Sequence, residues 1–398
     1  MNLPTLGLLG LYRCGNIGDE AIWRAFVDAV RAARPDVRLR MIAYGPGGFE
    51  AAPLPDDPRA VDELLHWLAL DDPRARRVRW GWWLTSGLCR LARELRDLDA
   101  IWYAGGHWLH DLSLVTLAGV LAPPTWARLR GKSGGFVNVG AGPLDGTLGR
   151  FLARRALPGR GPLVVRDEHS ATVLRAAGAP EPQVAADTAY LLDPAPAAEI
   201  DAAWNRLNLP PDVETIGLVP CAWFKLADLY RPRAEQVDRM VDALADLARG
   251  QVKAGRCVLL LPTMLPEDDL VARRIAAQCD LPSVRVAPTG DWPARLLLGL
   301  IGRLRALVSF RMHPLLFAYR MATPLVALNY APKVESMIAD LNLSRWLAPL
   351  DDAWPQTLAA RLDALLADPD PLAGATPLEA QKEKARAGID AALATLTK

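Results

Sequence analysis

The sequence predicts an α/β protein of two Rossmann-like domains facing a central cleft, and three observations predict it. Short apolar runs punctuated by glycine alternate with longer amphipathic stretches, the rhythm of β/α units around a mainly parallel sheet. That rhythm runs twice and breaks once, at the proline-rich Leu192-Asp-Pro-Ala-Pro-Ala-Ala198, which is taken as the linker. The length, 398 residues, suits two domains at about 100 to 200 residues each. The predicted organisation is therefore a first domain over 1–198 carrying the glycine loop 15–18, a second over 199–375, and an Ala-rich helical tail over 376–398. That tail either closes the second domain or crosses back to the first.

In the first series, Leu6 to Leu11 is a strand, Gly15 to Gly18 a loop, and Asp19 to Ala33 a helix whose acidic first turn suits the helix dipole. Strands follow at Arg38 to Ala43, Ala100 to Tyr103, Gly135 to Val139 and Leu163 to Val165, and a helix runs from Ser170 to Ala177 and stops at Gly178. The second series has strands at Ile216 to Pro220, Cys257 to Leu261, Ser283 to Val286, Ala306 to Ser309 and Leu325 to Leu328. Helices over Ala234 to Lys253, Trp292 to Arg303 and His313 to Met321 separate them. In such folds ligands bind outside the carboxyl ends of the strands.

Composition narrows the function. With 51% hydrophobic residues the chain can bury a core, and 46 Lys+Arg against 45 Asp+Glu leave a net charge of +1. No bulk attraction for nucleic acid results, so nucleic acid is not expected as a partner. No apolar run approaches the ~18 residues of a membrane span, and the N-terminus lacks a basic segment and a small-residue cleavage site. Five scattered cysteines without a C-x-x-C suit a reducing compartment, so a cytoplasmic location is expected. One segment stands apart: Arg74 to Arg90 holds five arginines and three of the 13 tryptophans. It is either an exposed basic turn leading into a helix with core tryptophans, or a peripheral membrane contact.

Several motifs fail. Gly131-Lys132-Ser133 resembles the end of a P-loop, but Trp126 stands where the first glycine is needed. Gly140-Ala-Gly142-Pro143 lacks the third glycine of a dinucleotide fingerprint. His107 and His110 with Asp111 lack a further ligand, so no metal is assigned.

Four motifs remain. Gly15-Asn16-Ile17-Gly18-Asp19-Glu20 opens a helix after the first strand, as a ligand mouth or as an ordinary capped start. Gly105-Gly106-His107 follows a later strand and suits close packing or ligand approach. Arg166 ends a strand before Asp167-Glu168-His169-Ser170, either paired with Asp167 or Glu168 or acting as an anion clamp. Ser309-Phe310-Arg311-Met312-His313-Pro314 places Arg311 and His313 at a helix N-terminus, a ready anion site, and Lys333 after the next strand adds a cation.

Together with Val139 to Leu144, Ala186-Asp187-Thr-Ala189 and Tyr330-Ala-Pro-Lys333, these blocks resemble, in order, the signature of the polysaccharide pyruvyl transferase family. The resemblance covers most of the chain, with Ala104 in place of a third glycine and Met312 in place of leucine as its departures. It implies a GT-B-like architecture and transfer of the enolpyruvyl unit of phosphoenolpyruvate to hydroxyls of a glycan or glycan precursor, usually as a cyclic ketal with release of phosphate. It implies no cofactor and no metal, phosphoenolpyruvate being a co-substrate. By the same resemblance Arg311, Arg166 and Lys333 bind the donor, His313 is the general acid, and Asp19 is the base with Glu20 second. Asn16, Gly15, Gly18, Gly105, Gly106 and Asp187 complete the expected substrate contacts. If the acceptor saccharide is lipid-linked, Arg74 to Arg90 would dock the enzyme at the inner face of the membrane. A GT-B glycosyltransferase with a nucleotide-sugar donor is the alternative on the same architecture.

Overall fold

The computed structural model describes residues 4–10, 15–44, 63–67, 93, 95–157, 161–210, 212–222 and 234–396. The Arg74 to Arg90 segment lies outside them. Two compact units result: one of residues 1–14, 19–192 and 379–398, the other of 15–18 and 193–378.

The first unit holds an eight-stranded sheet, every pairing of which is parallel. Its elements are β1 (Thr5–Gly10), α1 (Ile17–Ala33), β2 (Arg38–Tyr44), β3 (Glu63–Trp67), β4 (Ala100–Ala104), β5 (His107–Leu109), α2 (Leu114–Leu129), β6 (Ser133–Ala141), α3 (Thr147–Ala156), β7 (Leu163–Val165), α4 (Glu168–Ala176) and β8 (Gln183–Val184). The spatial order is β3-β2-β1-β4-β6-β7-β8, with β5 on β6, so the chain reverses direction between β1 and β4. Successive side chains of a strand point to opposite faces. Leu6 and Leu8 accordingly pack with Trp23, Phe26 and Val30 of α1. Leu9 packs on the other face with Tyr103, Leu117 and Phe136.

The C-terminal helix Leu378–Leu393 completes this unit. Ile389, Ala392 and Leu393 join the α1 face. Buried Asn138, in the left-handed backbone region at φ 54°, donates from Nδ2 to the Ala385 carbonyl at 2.9 Å. Of the two destinations open to the tail in sequence, packing thus selects the first unit. Lys132 of the discarded P-loop donates to the carbonyls of Arg96 and Leu98, which explains a lysine there without a nucleotide.

The second unit is a six-stranded parallel sheet. Its elements are α5 (Ala197–Arg206), β9 (Thr215–Val219), α6 (Ala234–Lys253), β10 (Cys257–Leu260), α7 (Glu267–Cys279), β11 (Val284–Val286), α8 (Ala294–Ile301), β12 (Ala306–Ser309), α9 (Met312–Arg320), β13 (Leu325–Asn329), α10 (Pro332–Asp340), β14 (Leu347–Pro349) and α11 (Trp354–Ala367). The order β11-β10-β9-β12-β13-β14 puts the reversal between β9 and β12. The division at Leu192 falls at the start of the proline-rich stretch, and α5 begins inside it. One expectation is corrected: Gly15–Gly18 belongs with the second unit, not with the domain that its place in sequence suggests.

Candidate active site

In the second unit the chain leaves β12 at the strand-order reversal, where open α/β sheets form a crevice. Arg311 is the N-cap residue of α9. Its amide donates to Ser309 Oγ at 3.0 Å, and that hydroxyl donates to the Arg311 carbonyl at 2.8 Å, so the backbone is held twice. The guanidinium grips Asp268 with both Nε (3.1 Å) and Nη2 (2.6 Å). The Asp268 side chain is 0% exposed and that of Arg311 14%, and Nη1 lies outside the fork. A planar guanidinium held side-on in this way is oriented for a second bidentate anion.

Electrostatics agree. Burial works against the Arg311 charge, but Cys221, Asp268 and Tyr330 together hold its pKa above the ordinary arginine value. Burial pushes the Cys221 thiol up to about 11, Arg311 and Lys333 pulling it down and Asp268 adding to the rise. Cys221 follows β9 and is thus within electrostatic reach of both Arg311 and Lys333. Lys333 lies in the first turn of α10, its Nζ 5.5 Å from the Tyr330 ring centroid.

His313, one residue past Met312 in the first turn of α9, packs against Gly18. A Cβ added to Gly18 would stand 2.5 Å from the imidazole Cγ and 2.8 Å from Cε1, and closer still to Nδ1. The loop reaches this position through backbone bonds to the 263–265 segment. Ile17 donates to the Thr263 carbonyl at 3.0 Å, Leu265 donates to the Gly15 carbonyl at 2.8 Å, and Asn16 bridges Met264. Gly15 has φ 75°, and a Cβ there would meet the Leu265 carbonyl oxygen at 2.6 Å. Asn16 Oδ1 accepts from the Gly18 amide at 3.1 Å. The structure therefore brings Gly15, Asn16, Gly18, Arg311, His313 and Lys333 into one unit.

The other expected residues lie in the first unit. Arg166 ends β7 and is buried; it donates to Asp167 (3.3 Å, from Nε) and Asp187 (3.2 Å, from Nη1). Burial opposes its charge, while Asp187, Asp167 and Asp19 raise its pKa above the ordinary value. The ion pair with Asp167 expected as one reading is present, with Asp187 as a second partner that the sequence did not single out. Nη2, lying over Gly140, stands outside those two bonds. Asp187 also accepts from the Ala189 amide at 2.9 Å. Asp19 and Glu20 form the acidic first turn of α1 and are half-buried. Gly105 and Gly106 follow β4 at the reversal, with φ 61° and 79°. His107 and His110 stack at 5.8 Å, His107 Nε2 lies 2.5 Å from the Gly142 carbonyl, and burial lowers the pKa of His110 against the pull of Asp111.

Asp268, the carboxylate that holds Arg311, is the residue of this cluster that the sequence did not single out. Its signal was faint: one acidic residue among Glu267-Asp268-Asp269, at a helix start where acids are ordinary.

The family model for polysaccharide pyruvyl transferase matches residues 16–332. No curated protein matches the chain. Among solved structures, UDP-GlcNAc 2-epimerase from Methanocaldococcus jannaschii is similar at TM-score 0.62 and 11% identity, covering 97% of this chain and 99% of that one. The Neisseria meningitidis enzyme of that name, bound to UDP-GlcNAc, gives 0.62 and 12%, covering 98% and 100%. The Anabaena protein HepE in complex with UDP-glucose gives 0.56 and 11%, covering 98% and 96%. These likenesses establish the fold, GT-B with two parallel sheets. Among the described residues no helix is long and apolar enough to cross a membrane.

Proposed function

The chain belongs to the polysaccharide pyruvyl transferase family, and from that premise we propose that it moves the enolpyruvyl unit of phosphoenolpyruvate onto the hydroxyls of a glycan or lipid-linked saccharide. One observation carries the donor assignment: Arg311, locked side-on by buried Asp268, stands two residues before His313, at the start of a helix placed at the strand-order reversal. A donor with a phosphate and a carboxylate needs fixed cations at a helix N-terminus, and Arg311 and Lys333 supply them.

In this scheme His313 protonates the methylene carbon of the donor, which makes C2 electrophilic. A sugar hydroxyl attacks C2 and gives its proton to Asp19, the residue after Gly18 in the chain. The C2–O bond to phosphorus then breaks, phosphate leaves, and a second hydroxyl of the same sugar closes a cyclic ketal. The two hydroxyl protons account for the new methyl hydrogen and the proton on phosphate. A positioned acid contributes about 10² to 10⁴ in rate.

The test is mass spectrometry of candidate glycans incubated with phosphoenolpyruvate, alongside phosphate release. The expected result is a pyruvyl increment on one glycan, with His313→Ala losing turnover by that factor while still binding the donor. Undiminished turnover in His313→Ala removes the residue from the mechanism. Stabilisation of the protein by nucleotide sugars but not by phosphoenolpyruvate replaces the donor.

A further inference from the structure

We propose that Asp268 is the positioning residue of this site: one carboxylate sets the guanidinium of Arg311 and, through the 263–265 segment, sets the Gly15–Gly18 loop against His313. The proposal rests on the reading above that Arg311 binds the donor anion.

Five donors converge on Asp268. Oδ1 accepts from Ala222 N (2.8 Å) and Arg311 Nη2 (2.6 Å). Oδ2 accepts from Met264 N (2.9 Å), Thr263 N (3.4 Å) and Arg311 Nε (3.1 Å). A carboxylate has about four lone-pair sites, so its accepting capacity is filled and none is left for a substrate. An acid in the first turn of an ordinary helix faces water; this one is 0% exposed, and two of its partners, Ala222 and Arg311, come from far along the chain. Burying a charge so completely is costly unless every lone pair is met.

Four of the five bonds form two arms; the fifth, from Ala222, holds the carboxylate itself. In the first, Asp268 fixes the plane of the Arg311 guanidinium, whose backbone Ser309 holds independently. In the second, the carboxylate pins the Thr263 and Met264 amides, and the same short segment carries the three backbone contacts that seat Gly15, Asn16 and Ile17. That loop ends with Gly18 on the imidazole. The first arm governs donor binding and the second governs the placement of the acid, so the two arms have separate kinetic signatures.

The experiment compares Asp268→Asn, Arg311→Ala and the double variant in the full-length protein, with KM for phosphoenolpyruvate and kcat measured separately. Asp268→Asn is expected to raise KM on the order of 10- to 100-fold, the loss of one charged hydrogen bond to the donor, and to lower kcat as well. In the Arg311→Ala background the same change should leave KM where Arg311→Ala put it and still lower kcat. A purely structural aspartate would depress thermal stability and leave both constants unmoved in the folded fraction. Wild-type KM and kcat in Asp268→Asn, with KM raised in Arg311→Ala, overturns the positioning role and leaves the donor reading standing. An unchanged KM in Arg311→Ala overturns the donor reading and this proposal with it. Should Asp268→Asn not fold, Arg311→Lys decides: it keeps the charge but loses the side-on fork, and its KM should rise as for Asp268→Asn, whereas a wild-type KM overturns the proposal.

Discussion

Gly18→Ala isolates the contact between the glycine loop and His313. Gly18 is the second residue of α1 and has ordinary helical backbone, so its lack of a side chain is not explained by a conformation that only glycine adopts. Helix propensity alone would make alanine better there by up to about 1 kcal/mol. Sterics point the other way: an added Cβ would stand 2.5 Å from Cγ and 2.8 Å from Cε1 of His313, and ordinary contacts need about a further 1 Å. Overpacking of this kind costs about 1–3 kcal/mol, leaving a net loss of stability between about zero and 3 kcal/mol. The larger effect falls on chemistry. On the role proposed for His313, an imidazole displaced by about 1 Å from the donor carbon loses on the order of 100-fold in rate, about 2.7 kcal/mol of barrier. Phosphate release under saturating phosphoenolpyruvate reads kcat, and a thermal melt reads the fold. Wild-type kcat with an unchanged or raised melting temperature would refute the contact and with it the seating of the loop on His313.

Other perturbations test the supports around the site. Gly388→Ala drives a methyl group into Asn138 Oδ1 and to 2.8 Å from the Ala185 Cβ; loosening the C-terminal helix should cost about 1–3 kcal/mol, read as a lower denaturant midpoint. Asp187→Asn leaves buried Arg166 with Asp167 as its remaining hydrogen-bonded carboxylate and should destabilise by about 3 kcal/mol in the same assay. For His110, burial holds the folded-state pKa below its ordinary 6.5, so the unfolded chain binds its proton first. Stability from this group is present above pH 6.5 and declines as pH falls from 6.5 towards the folded-state value. His110→Gln should flatten that acid slope, and an unchanged slope would assign it to other groups.

Strands buried on both faces were the most legible part of the fold. Ala306–Ser309 is a continuous apolar run bounded by polar residues, as a central parallel strand must be, and the helix Ala234–Lys253 carries a long amphipathic repeat. β5, with three residues, is too short to show a period. α2 contains Pro123-Pro124, which in sequence argues for a break. Arg311 and His313 were legible because a strand end, a helix start and Pro314 coincide within a few residues. The seating of Gly15–Gly18 was not, because it depends on backbone amides and carbonyls of the 263–265 segment, which any sequence possesses.

Arg166 and Arg311 look alike in sequence, each closing a strand before a helix, and what separates them is the charge that folding gathers around each. At Arg166 one cation faces Asp167, Asp187 and Asp19. At Arg311 the carboxylate that raises the pKa, among the described residues, is Asp268, with Lys333 a second cation near the same Cys221. A dianionic phosphate approaching Arg166 meets an excess of negative charge, whereas one approaching Arg311 meets an excess of positive charge. Substitution should therefore separate the pair: Arg311→Ala raises KM for phosphoenolpyruvate on the order of 100-fold, the cost of removing one partner of a hydrogen-bonded charge pair, with a modest change in stability. Arg166→Ala, which leaves buried Asp187 and half-buried Asp167 without their cation, acts first on stability, by about 3 kcal/mol. Equal rises in KM with equal stability would show that the carboxylates around Arg166 do not decide where the donor binds.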